Sequence, residues 1–275
     1  MYRLDFVKGI PDLLRDRHVV ALTGAGMSTD SGIPDYRGPN ARPIAPITYQ
    51  QFISDFEFRQ RYWARNHVGW RQMWKAEPNA GHFAMAELEK AGVINGLITQ
   101  NVDRLHVRAG SENLIELHGH FEDVVCLDCR TVIPRDHLHK RLTELNVDFA
   151  PQVLQWTPDA DAEIGGSSSF VVADCENCGG MLKPDIVYFG ESVPTERVER
   201  SFQLVDEAEV LLVAGSSLTV MSGFRFVKHA AKHGKDVVII NRGATRGDDL
   251  ATLKVDAGTS ETLSELEKLL VPAKN

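Results

Sequence analysis

The chain has 275 residues, 43% of them hydrophobic, which is enough to bury the core of one large domain or of a domain with a small added module. Its 38 acidic residues outnumber its 30 basic residues and give a net charge of -8. Nucleic acid is therefore not expected as the main partner, because phosphate binding requires a basic surface. The sequence has no run of about 18 uncharged apolar residues, so no membrane span is predicted.

The first 18 residues lack the apolar core of a signal peptide and lead almost directly into the first predicted strand. We therefore expect no extended targeting segment. The simplest expectation is a cytoplasmic bacterial protein, and the alternative is a processed protein of the mitochondrial matrix. The sequence leaves the oligomeric state open.

Strand and helix patterns alternate along the chain, which predicts an α/β fold with a doubly wound, parallel, Rossmann-like sheet. In chain order, strands are predicted at 19–23, 93–99, 114–117, 210–214 and 237–241. Helices are predicted at 12–17, 49–75, 78–88, 195–207, 223–233 and 259–270. The segment 49–75 is rich in aromatic residues, and we expect it to form a small helical layer.

A glycine-rich loop follows the first predicted strand, within the segment ALTGAGMSTDSGIPDYRG at 21–38. Glycine lets a ligand approach the main chain closely, as a pyrophosphate must at a strand-to-turn junction. The full dinucleotide fingerprint G-x-G-x-x-G is missing, because Thr29 stands where the third glycine is expected. The spacing alone therefore leaves a plain turn as an alternative to a nucleotide site.

The four cysteines form two C-x-x-C pairs, Cys126 with Cys129 and Cys175 with Cys178. Without a secretion signal disulfides are not expected, and paired thiolates on tight turns are the usual ligands of a tetrahedral zinc ion. The 45 residues between the pairs add only about 0.7 kcal/mol to the cost of loop closure. Four thiolates leave no open coordination position, so we predict a structural zinc; unrelated thiols or a redox dithiol are the alternatives.

Polar residues follow two further predicted strands. Asn101 and Asp103, in TQNVD at 99–103, lie at a carboxyl strand end, where ligands bind in open α/β sheets. They are suited to hydrogen-bonding a carboxamide and ribose hydroxyls, or equally to capping a helix. His118 ends the next strand and precedes a glycine. Histidine is well suited to accept a proton near neutral pH, although a single histidine is more often structural.

Together these motifs resemble those of the sirtuins, the NAD-dependent protein-lysine deacylases, from about residue 19 to residue 259 and in the family's order. The glycine loop, TQNVDRLH with LHGH, the two cysteine pairs, KPDIVYFGE at 183–191, and the strand ends at GSS and NRG carry the resemblance. Most of the family has Phe where this chain has Tyr36. PDYR at 34–37, RYWARN at 61–66 and the long insertion between the cysteine pairs resemble the class II branch, of bacterial and mitochondrial type.

The resemblance implies the site residues. His118 matches the catalytic base, and Asn101 would orient a ribose hydroxyl or water. The implied NAD contacts are Gly24, Ala25, Gly26, Thr29, Asp35, Tyr36, Arg37, Gln100, Asn101, Asp103, Gly215, Ser216, Ser217, Asn241, Arg242, Gly243 and Thr259.

The resemblance also implies where the substrate binds. An acyl-lysine peptide would add as a strand along Val187, Phe189, Gly190 and Glu191, for which an ordinary edge strand is the alternative. Tyr62 and Arg65 resemble the pair that recognises acidic acyl chains in some sirtuins, since an arginine binds a carboxylate through two hydrogen bonds. A surface salt bridge with a core aromatic is the alternative.

The implied activity is NAD-dependent removal of acyl groups from protein lysine side chains, giving nicotinamide, O-acyl-ADP-ribose and free lysine. NAD would be a consumed co-substrate, one zinc per chain would be structural, and acylated-lysine proteins or peptides would be the partners. Protein mono-ADP-ribosyl transfer, lipoamidase activity and a non-catalytic NAD-binding role are the alternatives. A hydride-transferring dehydrogenase is poorly supported, because the full Rossmann fingerprint is missing.

The predicted domain layout is discontinuous. A Rossmann-like NAD-binding domain is expected at 1–48, 76–120 and 184–275, with the helical layer at 49–75 and the zinc-binding module at 121–183.

Overall fold

The computed structural model describes residues 7–36, 47–157 and 161–272. The chain divides into two compact units. The first, here called the sheet unit, comprises Met1–Pro43, Glu77–Leu117 and Val193–Asn275. The second, here called the cysteine unit, comprises Ile44–Ala76 and His118–Ser192 and contains all four cysteines.

The described strands and helices alternate over much of the chain. The strands are β1 (Val19–Thr23), β2 (Gly96–Thr99), β3 (Leu114–Glu116), β4 (Gly119–Cys126), β5 (Val132–Pro134), β6 (Val153–Thr157), β7 (Asp161–Ile164), β8 (Leu182–Ile186), β9 (Val210–Ala214), β10 (Asp236–Ile240) and β11 (Leu253–Val255). The helices are α1 (Ile10–Leu14), α2 (Tyr49–Ser54), α3 (Phe56–Lys75), α4 (Ala80–Lys90), α5 (Leu105–Ala109), α6 (Arg135–Leu145), α7 (Thr195–Glu207), α8 (Met221–Lys232) and α9 (Thr259–Leu270).

The sheet unit contains a six-stranded sheet in the order β11-β10-β9-β1-β2-β3. Every described pair in it is parallel, which confirms the predicted doubly wound sheet. The strand order reverses between β1 and β9, and open sheets of this kind bind ligands at the carboxyl ends of the strands beside such a reversal.

Helices cover both faces of this sheet because side chains alternate along each strand. Val19 and Ala21 of β1 belong to one apolar cluster, together with side chains of α1, α4 and α9. Val20 and Leu22 belong to a second cluster, together with side chains of α7 and α8. Since β1 is buried on both faces, it reads as a continuous apolar run and not as an alternating one.

The predicted bounds hold for β1, β9, α7 and α9. Those of α1, α4, α8, β3 and β10 are shifted by one to three residues from the predictions, and two further predictions require a larger correction. The predicted helix 49–75 is interrupted at Asp55, which has extended backbone angles and caps α3 by accepting a hydrogen bond from the Phe58 N–H at 2.9 Å. The strand predicted at 93–99 begins at Gly96. The N–H groups of Val93 and Ile94 close the end of α4 on the Leu88 carbonyl and are not available to start the strand.

The cysteine unit is built on a three-stranded antiparallel sheet in the order β5-β4-β8, with β6 and β7 forming a separate hairpin. Its core includes the fully buried Phe52, Trp63 and Phe170. Two aromatic residues of the predicted helical layer, Phe56 and Trp74, are instead 57% and 51% exposed. Among the described helices of the whole chain, none is both long and apolar enough to cross a membrane.

Candidate functional site

The glycine loop after β1 lies directly against the loop after β9. The Gly24 N–H donates to the Ala214 carbonyl at 3.2 Å, and the Gly26 N–H donates to the Gly215 carbonyl at 2.8 Å. A Cβ on Gly24 would lie 2.9 Å from both the Gly215 oxygen and the Ser216 Cβ. Gly215 has a φ of 67°, and a Cβ there would lie 2.5 Å from the Met27 nitrogen. These glycines are therefore required by the contact between the two loops, at the reversal of strand order.

Other predicted residues extend this edge of the sheet. The Gln100 amide nitrogen donates to Ser216 Oγ at 2.8 Å, which ties the end of β2 to the loop after β9. Thr29 Oγ1 donates to the Gly26 carbonyl at 3.2 Å, and Ala25 lies in a 3₁₀ turn over Ala25–Met27. Ser217 Oγ lies 3.1 Å from Thr219 Oγ1.

The predicted segment that follows the glycine loop is only partly described. Asp35 and Tyr36 are half-buried and close the first described range. Arg37 lies outside the described residues.

The Asn101 amide has a fixed orientation. Its Nδ2 donates to the Gly24 carbonyl and to Ser28 Oγ, both at 3.1 Å. Because a carbonyl only accepts, the nitrogen must face Gly24, and no donor of the described chain contacts the amide oxygen. The helix-cap alternative does not apply to Asn101, since α5 begins four residues later without a side-chain hydrogen bond from its cap residue Arg104.

Asp103 is buried among groups of its own unit. Its Oδ2 accepts from Ser28 Oγ at 2.6 Å, and its Oδ1 accepts from the Leu105 N–H at 2.9 Å, which is the capping interaction that was the alternative for this residue. Burial raises the pKa of the Asp103 carboxyl, and the hydrogen bond from Ser28 acts in the opposite direction. Asp103, Ser28 and Asn101 therefore form one connected chain of hydrogen bonds.

The predicted residues after β10 form a compact loop. Lys254 Nζ donates to the carbonyls of Asn241 and Gly243, each at 2.9 Å. Asn241 Nδ2 donates to the Arg242 carbonyl at 2.8 Å. Thr259, the first residue of α9, donates from Oγ1 to the Gly26 carbonyl at 3.2 Å, so α9 begins beside the glycine loop. The sheet unit thus carries most of the described residues that were predicted to contact NAD at the carboxyl ends of β1, β2, β9 and β10.

The remaining predicted residues belong to the cysteine unit. His118 is half-buried and immediately precedes β4. Its carbonyl accepts from the Val187 N–H at 2.8 Å, which holds the start of the predicted peptide strand beside it. Further along, the Phe189 carbonyl accepts from the Tyr49 N–H at 3.0 Å, and the Gly190 carbonyl accepts from the Gln50 amide at 3.2 Å.

The Glu191 carboxylate accepts hydrogen bonds from two nearby residues of its own chain. Its Oε2 accepts from the Tyr188 N–H at 2.8 Å and from Lys183 Nζ at 3.2 Å. Lys183 is 3% exposed and also donates to the carbonyls of Pro184 and Ile186. These hydrogen bonds of the Glu191 carboxylate therefore help to fix the backbone of the segment along which the substrate peptide is predicted to bind.

The two residues predicted to recognise the acyl chain have different surroundings. Tyr62 is 3% exposed, and its ring packs edge-on against Phe52, with the ring centroids 5.3 Å apart, and against Tyr188, at 5.6 Å. Arg65 is half-buried and donates from Nε to the Ala162 carbonyl of β7 at 3.0 Å. Tyr62 is thus a core aromatic residue, as the alternative interpretation expected.

The four cysteine thiols converge, with all four Sγ atoms within 4.8 Å of one another. Each pair sits on the same kind of turn. The carbonyl of the first cysteine accepts from the N–H four residues later, from Arg130 to Cys126 at 3.1 Å and from Gly179 to Cys175 at 2.8 Å. Arg130 and Gly179 both have left-handed φ angles, 63° and 73°. Two matching turns carrying four thiolates fit the tetrahedral coordination of zinc.

Several residues beside the site were missed by the sequence interpretation. Thr23 Oγ1 donates to Thr99 Oγ1 at 2.9 Å, and Thr99 Oγ1 accepts from the Asn101 N–H at 3.1 Å. His106 Nε2 lies 3.0 Å from Thr23 Oγ1, and burial holds the pKa of His106 well below its usual value. The signal available in the sequence was that Thr23 and Thr99 both end predicted strands, which makes them neighbours if β1 and β2 pair in register.

Comparison with known proteins extends these findings. Residues 24–222 match the model of the Sir2 family. The chain is 56% identical over 265 residues to NAD-dependent protein deacetylase 1 of Mycobacterium avium (strain 104), covering 94% of each protein. It is 43% identical over 289 residues to NAD-dependent protein deacylase SIR4 of Batrachochytrium dendrobatidis, covering 95% of this chain and 93% of that protein.

Solved structures of the same family have a similar fold. A structure described as Sir2-p53 peptide-NAD+ superposes with a TM-score of 0.78 at 34% identity, covering 96% of this chain and 98% of that chain. A parallel Rossmann-like sheet and a four-cysteine cluster suited to zinc define the class of protein. The chain belongs to the Sir2 family.

Proposed function

We propose that the chain is an NAD-dependent protein-lysine deacetylase, which converts NAD, an acetyl-lysine side chain and water into nicotinamide, O-acetyl-ADP-ribose and free lysine. Support comes from relatives of this name at 56% and 52% identity over most of the chain. Further support comes from structural neighbours described as bound to NAD+ and to acetylated peptide. Mono-ADP-ribosyl transfer and lipoamidase activity are not favoured by these comparisons.

The observation that carries the proposal is the fixed amide of Asn101. With Nδ2 held by Gly24 and Ser28, its oxygen can accept a hydrogen bond from a ribose hydroxyl or from water. Asn101 follows β2 and contacts Gly24 at the end of β1, beside the reversal of strand order where dinucleotides bind. The further NAD contacts that we propose are those predicted from the sequence, including Arg37.

His118 has the role of general base in this proposal. NAD, when bound, supplies an electrophilic ribose carbon from which nicotinamide departs as the acyl oxygen of the lysine attacks. His118 then accepts a proton from the ribose hydroxyls, so that a ribose oxygen can attack the acyl carbon. The four cysteines hold zinc with no open position, and the metal therefore takes no part in the reaction.

The test uses the purified chain with NAD and an acetyl-lysine peptide, and follows O-acetyl-ADP-ribose by mass spectrometry. We expect product from the wild type, and a loss of at least about 100-fold in kcat for His118→Tyr, because a positioned base contributes that much or more. Asn101→Ala should lose activity on the same order. Transfer of ADP-ribose onto protein without deacetylation would instead support the transferase alternative.

We also propose that the acyl pocket accepts acidic chains longer than acetyl, through Tyr62 and Arg65. The name of the fungal relative, a deacylase, supports a wider acyl range. The hydrogen bond from Arg65 Nε to Ala162 orients its guanidinium on α3. A guanidinium pairs with a carboxylate in a charge-assisted hydrogen bond, which a neutral acetyl group cannot form.

Arg65→Met should therefore lower kcat/KM for a glutaryl-lysine peptide by about tenfold or more, and leave kcat/KM for an acetyl-lysine peptide nearly unchanged. Both peptides should share one sequence, so that only the acyl group differs. Equal losses on both peptides would mean that Arg65 supports the fold of the helix and does not recognise the acyl chain.

Three further expectations complete the proposal. The acyl-lysine peptide adds as a strand along Val187, Phe189, Gly190 and Glu191, and the hydrogen bond from the Tyr188 N–H to Glu191 helps to shape that segment. The domain layout is the one predicted above, with the helical layer at 49–75 and the zinc-binding module at 121–183. The protein acts in the bacterial cytoplasm, which its named bacterial relatives support.

A further inference from the structure

The residue that follows Asp103 has a strained backbone. Arg104 has a φ of 63°, in the left-handed region that side chains other than glycine disfavour. It caps α5 without a side-chain hydrogen bond to the helix. A strained residue of this kind persists only where other contacts hold it, and such residues concentrate at functional sites. A contact of the Arg104 side chain supplies this support.

That contact is an ion pair across the end of the sheet. Arg104 Nη1 lies 2.9 Å from Glu116 Oε2, and the two side chains are only 24% and 18% exposed. Glu116 is the last residue of β3 and pairs in register with Thr99, the last residue of β2. The ion pair thus closes the loop 100–104 back onto the neighbouring strand. A partly buried charge-assisted hydrogen bond is stronger and more specific than an exposed surface pair.

The loop closed in this way carries the residues assigned to NAD. Asn101 and Asp103 lie within this loop, and both form hydrogen bonds with Ser28 in the loop after β1. On the other side of the ion pair, Glu116 precedes His118 by two residues in the chain. A shift of Arg104 would therefore be transmitted to the Asn101 amide and to the segment leading to the proposed base.

We propose that Arg104 is a positioning residue of the NAD site, acting through its ion pair with Glu116. The inference rests on the proposed function for its catalytic consequence, but not for its effect on NAD binding. Glycine adopts the left-handed conformation without strain, whereas Arg104 adopts it while its side chain pairs with Glu116.

The experiment compares Arg104→Gly, Arg104→Ala, Glu116→Gln and the double variant Arg104→Gly with Glu116→Gln. Calorimetry gives the Kd for NAD, steady-state deacetylation gives kcat/KM for NAD, and thermal unfolding gives Tm. The matched control is Arg17→Ala, which removes a comparable ion pair to Asp236, at 2.7 Å with side chains 28% and 31% exposed, far from the strand ends that carry the site.

We expect Arg104→Gly and Glu116→Gln each to weaken NAD binding or kcat/KM by about tenfold, with the double variant no worse than either single one. Arg104→Ala should lose as much activity as Arg104→Gly but unfold at a lower Tm, because alanine is strained in the left-handed region and glycine is not. Arg17→Ala should lower only Tm.

Two results would overturn the proposal. The first is wild-type NAD binding and kcat/KM in Arg104→Gly, since the ion pair would then be structural only. The second is an additive loss in the double variant, since the two residues would then act independently. A wild-type chain that binds NAD without deacetylating would contradict the proposed function, while the Kd series would still decide the role of Arg104.

Discussion

At the scale of single residues, Ser28 connects the two polar side chains that the sequence singled out. It is 1% exposed, donates to Asp103 and accepts from Asn101. Ser28→Ala removes both hydrogen bonds, which leaves a buried carboxylate oxygen unsatisfied and one hydrogen bond fewer on the amide. We expect kcat/KM for NAD to fall by roughly 10- to 100-fold, from a loss of about 1.5–3 kcal/mol, as measured by initial rates at varied NAD.

The control for this prediction is another fully buried serine. Ser201 on α7 donates only to the Arg197 carbonyl, one turn earlier in the same helix. Ser201→Ala should retain the wild-type kcat/KM. Losing the hydrogen bond from Ser28 should also raise the pKa of Asp103 further, because that hydrogen bond stabilises the charged form. If both serine variants keep wild-type activity, the chain of hydrogen bonds does not position Asn101.

At the scale of elements, the sequence predicted the bounds of those strands and helices that have a clear apolar pattern of their own. β1 and β9 are continuous apolar runs and α7 and α9 have an apolar face, so burial alone fixes their bounds. β11 has three residues, LKV, and is a strand only because β10 supplies partners for its backbone. No local pattern indicates such an element.

The same distinction applies to the site. The spacing of the two cysteine pairs predicted a zinc site, and their thiols do converge. Glu191 was predicted to contact the substrate, but the hydrogen bond that its carboxylate accepts from Lys183, eight residues earlier, was not predicted. Thr23, Thr99 and His106 form their hydrogen bonds only after strands from distant parts of the chain pair in parallel. Contacts of this kind depend on tertiary register, which the sequence alone does not encode in any short pattern.

At the scale of the whole molecule, buried histidines should make stability depend on pH. Burial lowers the pKa of His82 to about 4, that of His67 to about 3 and that of His139 to about 4, and it holds the pKa of His106 well below its usual value. Neutral in the fold, these groups bind protons only in the unfolded chain once the pH falls below about 6.5. The unfolded state then holds more protons, so the free energy of unfolding must decrease as the pH falls from about 6.5 toward 4.

Each of these histidines contributes at most about 1.4 kcal/mol per pH unit while it is neutral in the fold and charged in the unfolded chain. His82 and His106 are the most buried of the four, at 0% and 2% exposed. Asp103 acts in the opposite direction, because its raised pKa lets the folded state take up a proton. Denaturant unfolding at pH 7.5, 6.5, 5.5 and 4.5 measures the slope. His82→Asn keeps an acceptor for the Asn79 N–H, which His82 Nδ1 accepts at 3.2 Å, but cannot bind a proton. It should give a shallower slope over the same range. An unchanged slope would exclude His82 as a source of the dependence.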